Sequence, residues 1–151
     1  MTGWRKSLLL LVFTGTLLAL MVTYSRYNTM VNAQEKKQAE PSKILIVWTS
    51  GDKEVAVKMI FMYTFNAKRQ GWFDEIQLLI WGPSSKLLSE DTELQDYLKK
   101  IKDAGVQLTA CKACSDMYGV SDKLMELGVD VKYMGRPLTD MLNSGWVTLT
   151  F

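Results

Sequence analysis

Two continuous apolar runs constrain the fold of this chain more than any other feature. Lys43–Thr49 reads KILIVWT and is followed by Ser50-Gly51-Asp52, and Glu75–Trp81 reads EIQLLIW and is followed by Gly82-Pro83-Ser84. An unbroken apolar run that ends in a turn is typical of a strand buried on both faces. The chain is therefore predicted to contain a parallel sheet that is covered on both sides.

Segments with helical spacing separate these and later runs. Glu54–Arg69 is a predicted helix, with Asp52 as its cap and Gly71 as its stop, and Ser84–Lys102 is a second helical segment with a break near Glu90–Asp91. The other predicted elements are a strand at Val106–Ala110, a helix at Val120–Leu127, a strand at Val129–Met134, a helix at Leu138–Asn143 and a strand at Trp146–Phe151.

Strands that alternate with helices form βα units with right-handed crossovers. We therefore predict an α/β fold, a three-layer αβα sandwich with a mostly parallel five-stranded sheet. Such sheets carry their sites at the carboxyl ends of the strands. The loops at residues 49–53, 81–85 and 110–114 are expected to meet at that edge.

The first 33 residues have the form of an export signal. Arg5 and Lys6 precede the apolar run Leu8–Val22, and this order is typical of a segment that directs a chain to the membrane. Residues 8–24 are retained as a membrane anchor in one interpretation, and in another the chain is released by cleavage after Ala33. In a third interpretation, this segment is a buried N-terminal helix of the core. Residues 34–42 read as a polar linker, which leaves a domain at 43–151 on the periplasmic side.

The charge distribution argues against a nucleic-acid partner. The formal charge of +2 comes from 18 basic and 16 acidic residues. Residues 1–33 contain Arg5, Lys6, Arg26 and no acid, so that 15 basic and 16 acidic residues remain in the rest of the chain. Nucleic-acid binding requires a clustered basic surface. We expect membrane contact through the N-terminal segment and no nucleic acid.

The chain contains no histidine and two cysteines. Without histidine, one copy of the chain cannot form a Ser-His-Asp triad, a Cys-His dyad or a histidine-ligated metal site. Both cysteines lie in Cys111-Lys112-Ala113-Cys114, directly after a predicted strand. The start of a helix favours the thiolate form of a cysteine, and Lys112 adds a nearby cation. We predict that Cys111 and Cys114 carry the chemistry and that Lys112 tunes it.

The CxxC motif has other interpretations. A zinc site would need two more ligands from another copy of the chain, and c-type haem would need a histidine where Ser115 stands. Thiol–disulfide exchange suits the spacing, although thioredoxin-like folds carry the motif after an early strand. A structural disulfide is the plainest alternative. Ser50 and Gly51 form a second candidate site, which would bind an anion. The sequence around them lacks the pattern of a phosphate-binding loop. We expect no cofactor and no metal ion.

The residues around Cys111 resemble a known family. Gly105–Cys111 reads GVQLTAC, Gly119 follows at the eighth position after Cys111, and the chain ends in Gly-x-x-x-x-x-Met-Leu-x-x-Gly-Trp-Val-Thr-Leu-Thr-Phe. This order is similar to the active-cysteine segment of the DsrE family of sulfur-relay proteins, over about residues 43–151. Cys114 and Tyr118 differ from the relay members, which usually have a small residue and an arginine there.

The resemblance implies a trimer or hexamer in which Cys111 accepts a sulfane sulfur as a persulfide and passes it to another thiolate. Cys114 is then a second or resolving thiol, and the reaction partner is a small sulfur donor or a thiol protein. Whether such a carrier acts as an enzyme, either a sulfurtransferase or a thiol–disulfide exchanger, stays open. A non-catalytic oligomeric binding or scaffold module with a structural Cys111–Cys114 disulfide is the alternative.

A second group of residues bears on assembly. Met59, Met62 and Tyr63 form a thioether and aromatic stripe on a predicted helix, which is interpreted as core or as a subunit interface. Trp72 and Phe73 follow Gly71 and are interpreted either as core residues or as exposed residues that pack against another subunit.

Overall fold

A computed structural model of the chain describes residues 20–31 and 42–151. The chain divides into two compact units, Met1–Glu40 and Pro41–Phe151. In the first unit, residues 20–31 form a helix. No helix within the described residues is both long and apolar enough to cross a bilayer. Most of the predicted signal or anchor, and the predicted linker apart from Ser42, lie outside the described residues.

The second unit is built on a five-stranded sheet in which every pairing is parallel. The spatial order is β4-β3-β2-β1-β5. The strands are β1 (Lys43–Trp48), β2 (Glu75–Ile80), β3 (Gln107–Cys111), β4 (Asp130–Lys132) and β5 (Val147–Thr150). The predicted fold class is confirmed.

Six helical segments connect the strands. They are α1 (Lys53–Val55, Ala56–Phe61 and Met62–Arg69), α2 (Pro83–Glu90), α3 (Thr92–Asp103), α4 (Lys112–Tyr118), α5 (Ser121–Glu126) and α6 (Gly135–Asn143). The predicted break between α2 and α3 falls at Asp91, which caps α3 by accepting a hydrogen bond from the Leu94 N–H at 3.0 Å. Asp52 caps α1 in the same way, as predicted.

Strand β1, which lies between β2 and β5, is buried on both faces, as its unbroken apolar run predicts. Ile44, Ile46 and Trp48 belong to a large core cluster that includes residues of α1, α2, α3 and α5. Leu45 and Val47 alternate with them and belong to a smaller cluster, against which α6 packs. The sheet is therefore sandwiched between two helical layers of unequal size.

The centre of α1 differs from the predicted α-helix. Ala56–Phe61 is π-helical, with hydrogen bonds that span one more residue than in an α-helix. This wider turn brings Ala56, Ile60 and Phe61 to the buried side together. The Phe61 ring then meets Trp48 edge-on, with ring centroids 5.0 Å apart.

Two of the other predicted boundaries are wrong. The predicted loop at residues 110–114 does not exist, because β3 passes directly into α4 and Cys111 is the cap residue of that helix. The fourth strand is three residues long, shorter than the predicted Val129–Met134. It pairs with β3 alone, over the three residues from Thr109 to Cys111, and this edge position offers no further partner.

The connections after β3 and β4 leave the sheet towards opposite faces. The chain after β3 leads to α5, whose Leu124 is part of the larger cluster. The chain after β4 leads to α6, which packs on the smaller cluster. Neighbouring strands whose connections diverge in this way form a crevice at their carboxyl ends, where α/β proteins place their sites. Cys111, opposite Lys132 in the β3–β4 register, lies at this point.

Candidate functional site

The ends of β1, β2 and β5 are held together by backbone hydrogen bonds. The Trp81 N–H donates to the Trp48 carbonyl at 2.9 Å. The N–H groups of Thr49 and Ser50 both donate to the Phe151 carbonyl, at 2.8 and 3.2 Å. The loops after β1 and β2 therefore meet at one edge, as predicted, and the last strand supports them.

Ser84 secures this edge, and sequence reasoning did not single it out. Its hydroxyl donates to the Trp48 carbonyl at 2.6 Å and accepts from the Trp81 N–H at 3.0 Å. The side chain is fully buried. The available sequence signal was the position of Ser84 directly after Pro83, near the start of a predicted helix. This signal does not reveal the partner, because Trp48 lies 36 residues away in the chain.

The two cysteines lie where β3 ends and α4 begins. Cys111 is the last residue of β3, is 5% exposed and belongs to the smaller core cluster with Leu79 and Met134. Cys114 lies one turn into α4 and packs partly buried against the same cluster. Both are free thiols. The predicted pair is therefore adjacent, and its surroundings are largely apolar.

Cys114 is the thiol that the site keeps protonated. Burial raises the pKa of Cys114, and its hydrogen bond with Cys111 raises that pKa further. A hydrogen bond from the backbone of Gly82 acts in the opposite direction. The net effect is a Cys114 pKa above its ordinary value.

Lys112 is engaged within its own helix. Its ammonium group donates to both carboxylate oxygens of Asp116, at 2.6 and 2.8 Å, and lies 5.9 Å from the centre of the Tyr133 ring. The carboxylate raises the pKa of Lys112, and the ammonium group together with the Ser121 hydroxyl lowers the pKa of Asp116. The predicted effect of Lys112 on the thiols stays a prediction.

This ion pair borders an open cavity of about 400 Å³. The remaining wall residues are Gly119, Ser121, Asp122, Met125 and Val131. Asp116 also accepts a hydrogen bond from the Ser121 hydroxyl, which links α4 to α5. Within residues 20–31 and 42–151, no group of three or more histidine, cysteine or acidic side chains is placed to hold a metal ion.

Ser50 and Gly51 lie at the same edge, but their polar groups have local partners. The Ser50 hydroxyl accepts from the Asp52 N–H at 3.1 Å, and the Ser50 carbonyl accepts from the Trp48 indole at 2.8 Å. Gly51 lies against Pro83, and both residues line a cavity of about 280 Å³ together with Lys86, Leu87, Glu90 and Tyr118. The anion site predicted at Ser50 and Gly51 stays a prediction.

A wholly parallel sheet between two helical layers, with a cysteine pair at the strand ends where the connections diverge, defines an α/β protein of the flavodoxin-like architecture. The model of the DsrE/DsrF-like family matches residues 42–151. The chain belongs to this family, as the residues around Cys111 predicted. No curated protein matches the sequence.

Two solved structures are similar to the second unit. A conserved protein of unknown function from Bacteroides thetaiotaomicron is 35% identical, with a TM-score of 0.71 over 73% of this chain and 95% of that protein. The YchN protein from E. coli is 19% identical, with a TM-score of 0.59 over 73% of this chain and 99% of that one. The similarity to YchN shows a common fold and nothing further.

Proposed function

We propose that this protein is a DsrE-like sulfur carrier or thiol-redox protein that acts outside the cytoplasm, with Cys111 as sulfur acceptor and Cys114 as second thiol. One observation carries the proposal: Cys111 is the cap residue of α4 at the end of β3, and Cys114, in the same helix, packs against the same apolar cluster. The chain's membership of the DsrE/DsrF-like family supports the same assignment.

The first step is a sulfur transfer without net oxidation. The Cys111 thiolate attacks the outer sulfur of a persulfide donor, R–S–SH. The donor S–S bond breaks, a new S–S bond forms as Cys111–S–SH, and the donor leaves as a thiolate that takes up a proton. A thiolate of an acceptor protein then removes the outer sulfur by the same reaction.

Cys114 provides a second outcome. Its thiolate attacks the inner sulfur of the Cys111 persulfide, which forms a Cys111–Cys114 disulfide and releases hydrosulfide. The two cysteines are oxidised and the sulfane sulfur is reduced to sulfide, so that no further oxidant is needed. The raised pKa of Cys114 keeps this second thiol protonated while sulfur is loaded on Cys111.

The burial of Cys111 bears on its donor. Cys111 is 5% exposed, whereas Cys114 is more accessible on the first turns of α4. Of the two sulfur atoms, a donor in solution therefore reaches that of Cys114 more easily. This geometry favours a small sulfur compound, or a thiol presented on an extended segment of a partner protein.

The basic start and apolar run of the first 33 residues support the proposed location outside the cytoplasm. Labelling of intact cells with a membrane-impermeant maleimide tests it. A protein outside the cytoplasm is labelled at its cysteines in intact cells, and labelling that needs lysed cells contradicts the proposal.

Mass spectrometry after incubation of the full chain with polysulfide, or with thiosulfate and a thiol, tests the chemistry. We expect the mass of one added sulfur atom at Cys111, its absence in Cys111→Ser, and a longer-lived adduct in Cys114→Ser because the resolving thiol is gone. No adduct with either donor contradicts the proposal. A Cys111–Cys114 bond that resists mild reductant would instead support the structural alternative.

A further inference from the structure

We propose that the helix at residues 20–31 is an amphipathic helix that lies in the headgroup region of a membrane, and that the chain keeps this segment instead of losing it by cleavage after Ala33. The inference goes beyond the proposed function, because it concerns the first unit of the chain and not the cysteine pair. Its test requires no sulfur donor, so that failure of the sulfur-transfer chemistry would leave it standing.

One side of this helix carries a continuous row of apolar side chains. They are spaced by four, three and four positions, which places them on a single face of an α-helix. We call this the tyrosine face, and its members are Leu20, Tyr24, Tyr27 and Val31. The first three side chains are between 65% and 68% exposed. A large part of the tyrosine face is therefore available for contact with something outside the described residues.

The opposite side of the helix is polar. Ser25, Arg26 and Thr29 lie there, and Arg26 is the only charged residue of the helix. The Thr29 hydroxyl donates to the Ser25 carbonyl at 2.8 Å, and the Thr23 hydroxyl donates to the Leu20 carbonyl at 2.9 Å. Hydroxyl groups that donate within their own helix can lie close to lipid without losing a hydrogen bond. The helix therefore has one apolar face, one polar face and a single cation.

The sequence before the helix indicates what the tyrosine face contacts. The apolar run Leu8–Val22 overlaps the first residues of the helix, so that Tyr24, Arg26 and Tyr27 come directly after a segment that is addressed to the membrane. Tyrosine is enriched where hydrocarbon meets water, because its ring is apolar and its hydroxyl is polar. An arginine at this level can extend its charge towards the headgroups. Lipid is thus the occupant that this order of residues fits.

A second copy of the helix is the other candidate occupant, since spacings of four and three residues also occur in coiled coils. A coiled coil needs this pattern over at least about three heptads. Here the next positions of the series, Gln34 and Gln38, are polar, so that the tyrosine face ends within two heptads. The short pattern favours contact with lipid over contact with another helix.

Two measurements on the full chain test the inference, and the first concerns cleavage. The full chain is expressed in bacterial cells, and its intact mass is determined in the soluble and membrane fractions. A chain cleaved after Ala33 would lack the helix, so that we expect a mass that includes residues 20–31, found in the membrane fraction. A protein that begins at Gln34 overturns the inference.

The second measurement compares the two faces of the helix in a membrane. Tyr27→Cys and Thr29→Cys are each made in a chain that carries Cys111→Ser and Cys114→Ser, so that a fluorophore is attached at a single position. Both positions lie outside the second unit, Pro41–Phe151, and the two variants therefore share the same folded domain. The labelled chains are reconstituted in vesicles of phosphatidylcholine and phosphatidylglycerol that contain a spin-labelled lipid as quencher.

We expect the lipid quencher to reduce the fluorescence of the Tyr27→Cys label about threefold more than that of the Thr29→Cys label, because an interfacial helix buries its apolar face and leaves its polar face in water. Equal quenching at the two positions overturns the inference. A Tyr27→Cys label that neither the lipid quencher nor aqueous iodide reaches also overturns it, because a second copy then covers the tyrosine face.

Discussion

The side chain of Trp48 connects the core to the loop that follows β1. It is completely buried, and its indole N–H donates to the Ser50 carbonyl at 2.8 Å. We expect Trp48→Ala to lower the free energy of unfolding by about 3–5 kcal/mol, because a large buried side chain is lost. Trp48→Phe should cost less, about 1–2 kcal/mol, because most of the packing remains while the Ser50 carbonyl loses its donor.

Urea unfolding followed by circular dichroism measures both Trp48 variants. Trp72→Phe is the matched control, since Trp72 is 54% exposed, and it should change stability by less than about 0.5 kcal/mol. Equal losses for Trp48→Phe and Trp72→Phe would contradict the assigned role of the indole N–H.

The raised pKa of Cys114 predicts a loss of stability at alkaline pH. Below about pH 8.5 the thiol is protonated in both the folded and the unfolded chain, and its contribution to stability is fully present. Above that pH the unfolded thiol ionises while the folded one, held protonated by burial and by Cys111, does not, so that stability falls. The urea midpoint of the reduced protein should therefore decrease more between pH 7.5 and 10 in wild type than in Cys114→Ser. A parallel decrease in both would refute this.

The positions of the two candidate cysteines at the end of β3 and the start of α4 could be predicted from sequence, whereas their surroundings could not. Cys111 and Cys114 share a motif at the end of an apolar run, and this pattern is local. Ser84 binds the end of β1, and such a partner becomes visible only when the strand ends are placed side by side. The Lys112–Asp116 pair has helical i, i+4 spacing, but it could not be predicted while this segment was taken for a loop.

At the scale of elements, the start of α3 is fixed by Asp91. Its carboxylate accepts from the Leu94 N–H and binds Lys53 of α1 at 2.9 Å. Lys53 and the Leu94 N–H both lower the pKa of Asp91. We expect Asp91→Ala to destabilise the fold by about 1 kcal/mol through loss of the cap. Asp91→Asn keeps a capping oxygen and should retain most of that stability.

Thermal or urea unfolding of the two Asp91 variants distinguishes the cap from the ion pair. If Asp91→Asn proves as harmful as Asp91→Ala, the contact with Lys53 is the dominant contribution. Exposed ion pairs usually contribute little to stability. A large loss of stability in Asp91→Asn would contradict that expectation.

The elements that sequence patterns missed depend on contacts between elements. The π-helical turn in α1 places Phe61 on the buried side, where its ring meets Trp48, and apolar spacing alone does not reveal this contact. The short β4 reflects an edge position with a single neighbour. The break before α3 was predictable, because the capping signal at Asp91 is contained in a few consecutive residues.

For the whole molecule, we propose that an apolar surface on α1 is an interface between copies of the chain. Met59, Met62 and Trp72 are each about half exposed, and the Trp72 ring lies 5.9 Å from that of Tyr63. Thioether and aromatic side chains in one exposed group are typical of protein contacts. The sequence predicted the stripe and left Trp72 either in the core or exposed, and in the structure Trp72 is 54% exposed.

Sedimentation analysis tests this interface. Trp72→Glu should shift the full chain from a homo-oligomer to a smaller species, because a buried charge opposes association. Leu142→Glu is the control, since Leu142 is similarly exposed at 52% but lies on α6, on the other side of the sheet. A monomeric wild-type chain, or dissociation by both variants alike, would contradict the proposal.

The pairing of β5 with β1 has a consequence for the order in which the protein is made. Thr49 and Phe151 are 102 residues apart, and yet the Phe151 carbonyl accepts from the backbone and the hydroxyl of Thr49. The ribosome synthesises β1 long before β5. During most of translation, the loop after β1 therefore lacks its hydrogen-bond partner, the Phe151 carbonyl. The carboxyl ends of the strands, where the cysteine pair lies, are therefore completed late in biosynthesis. In chains that stall before residue 147, this part of the fold is incomplete, and the thiols should be accessible to oxidants.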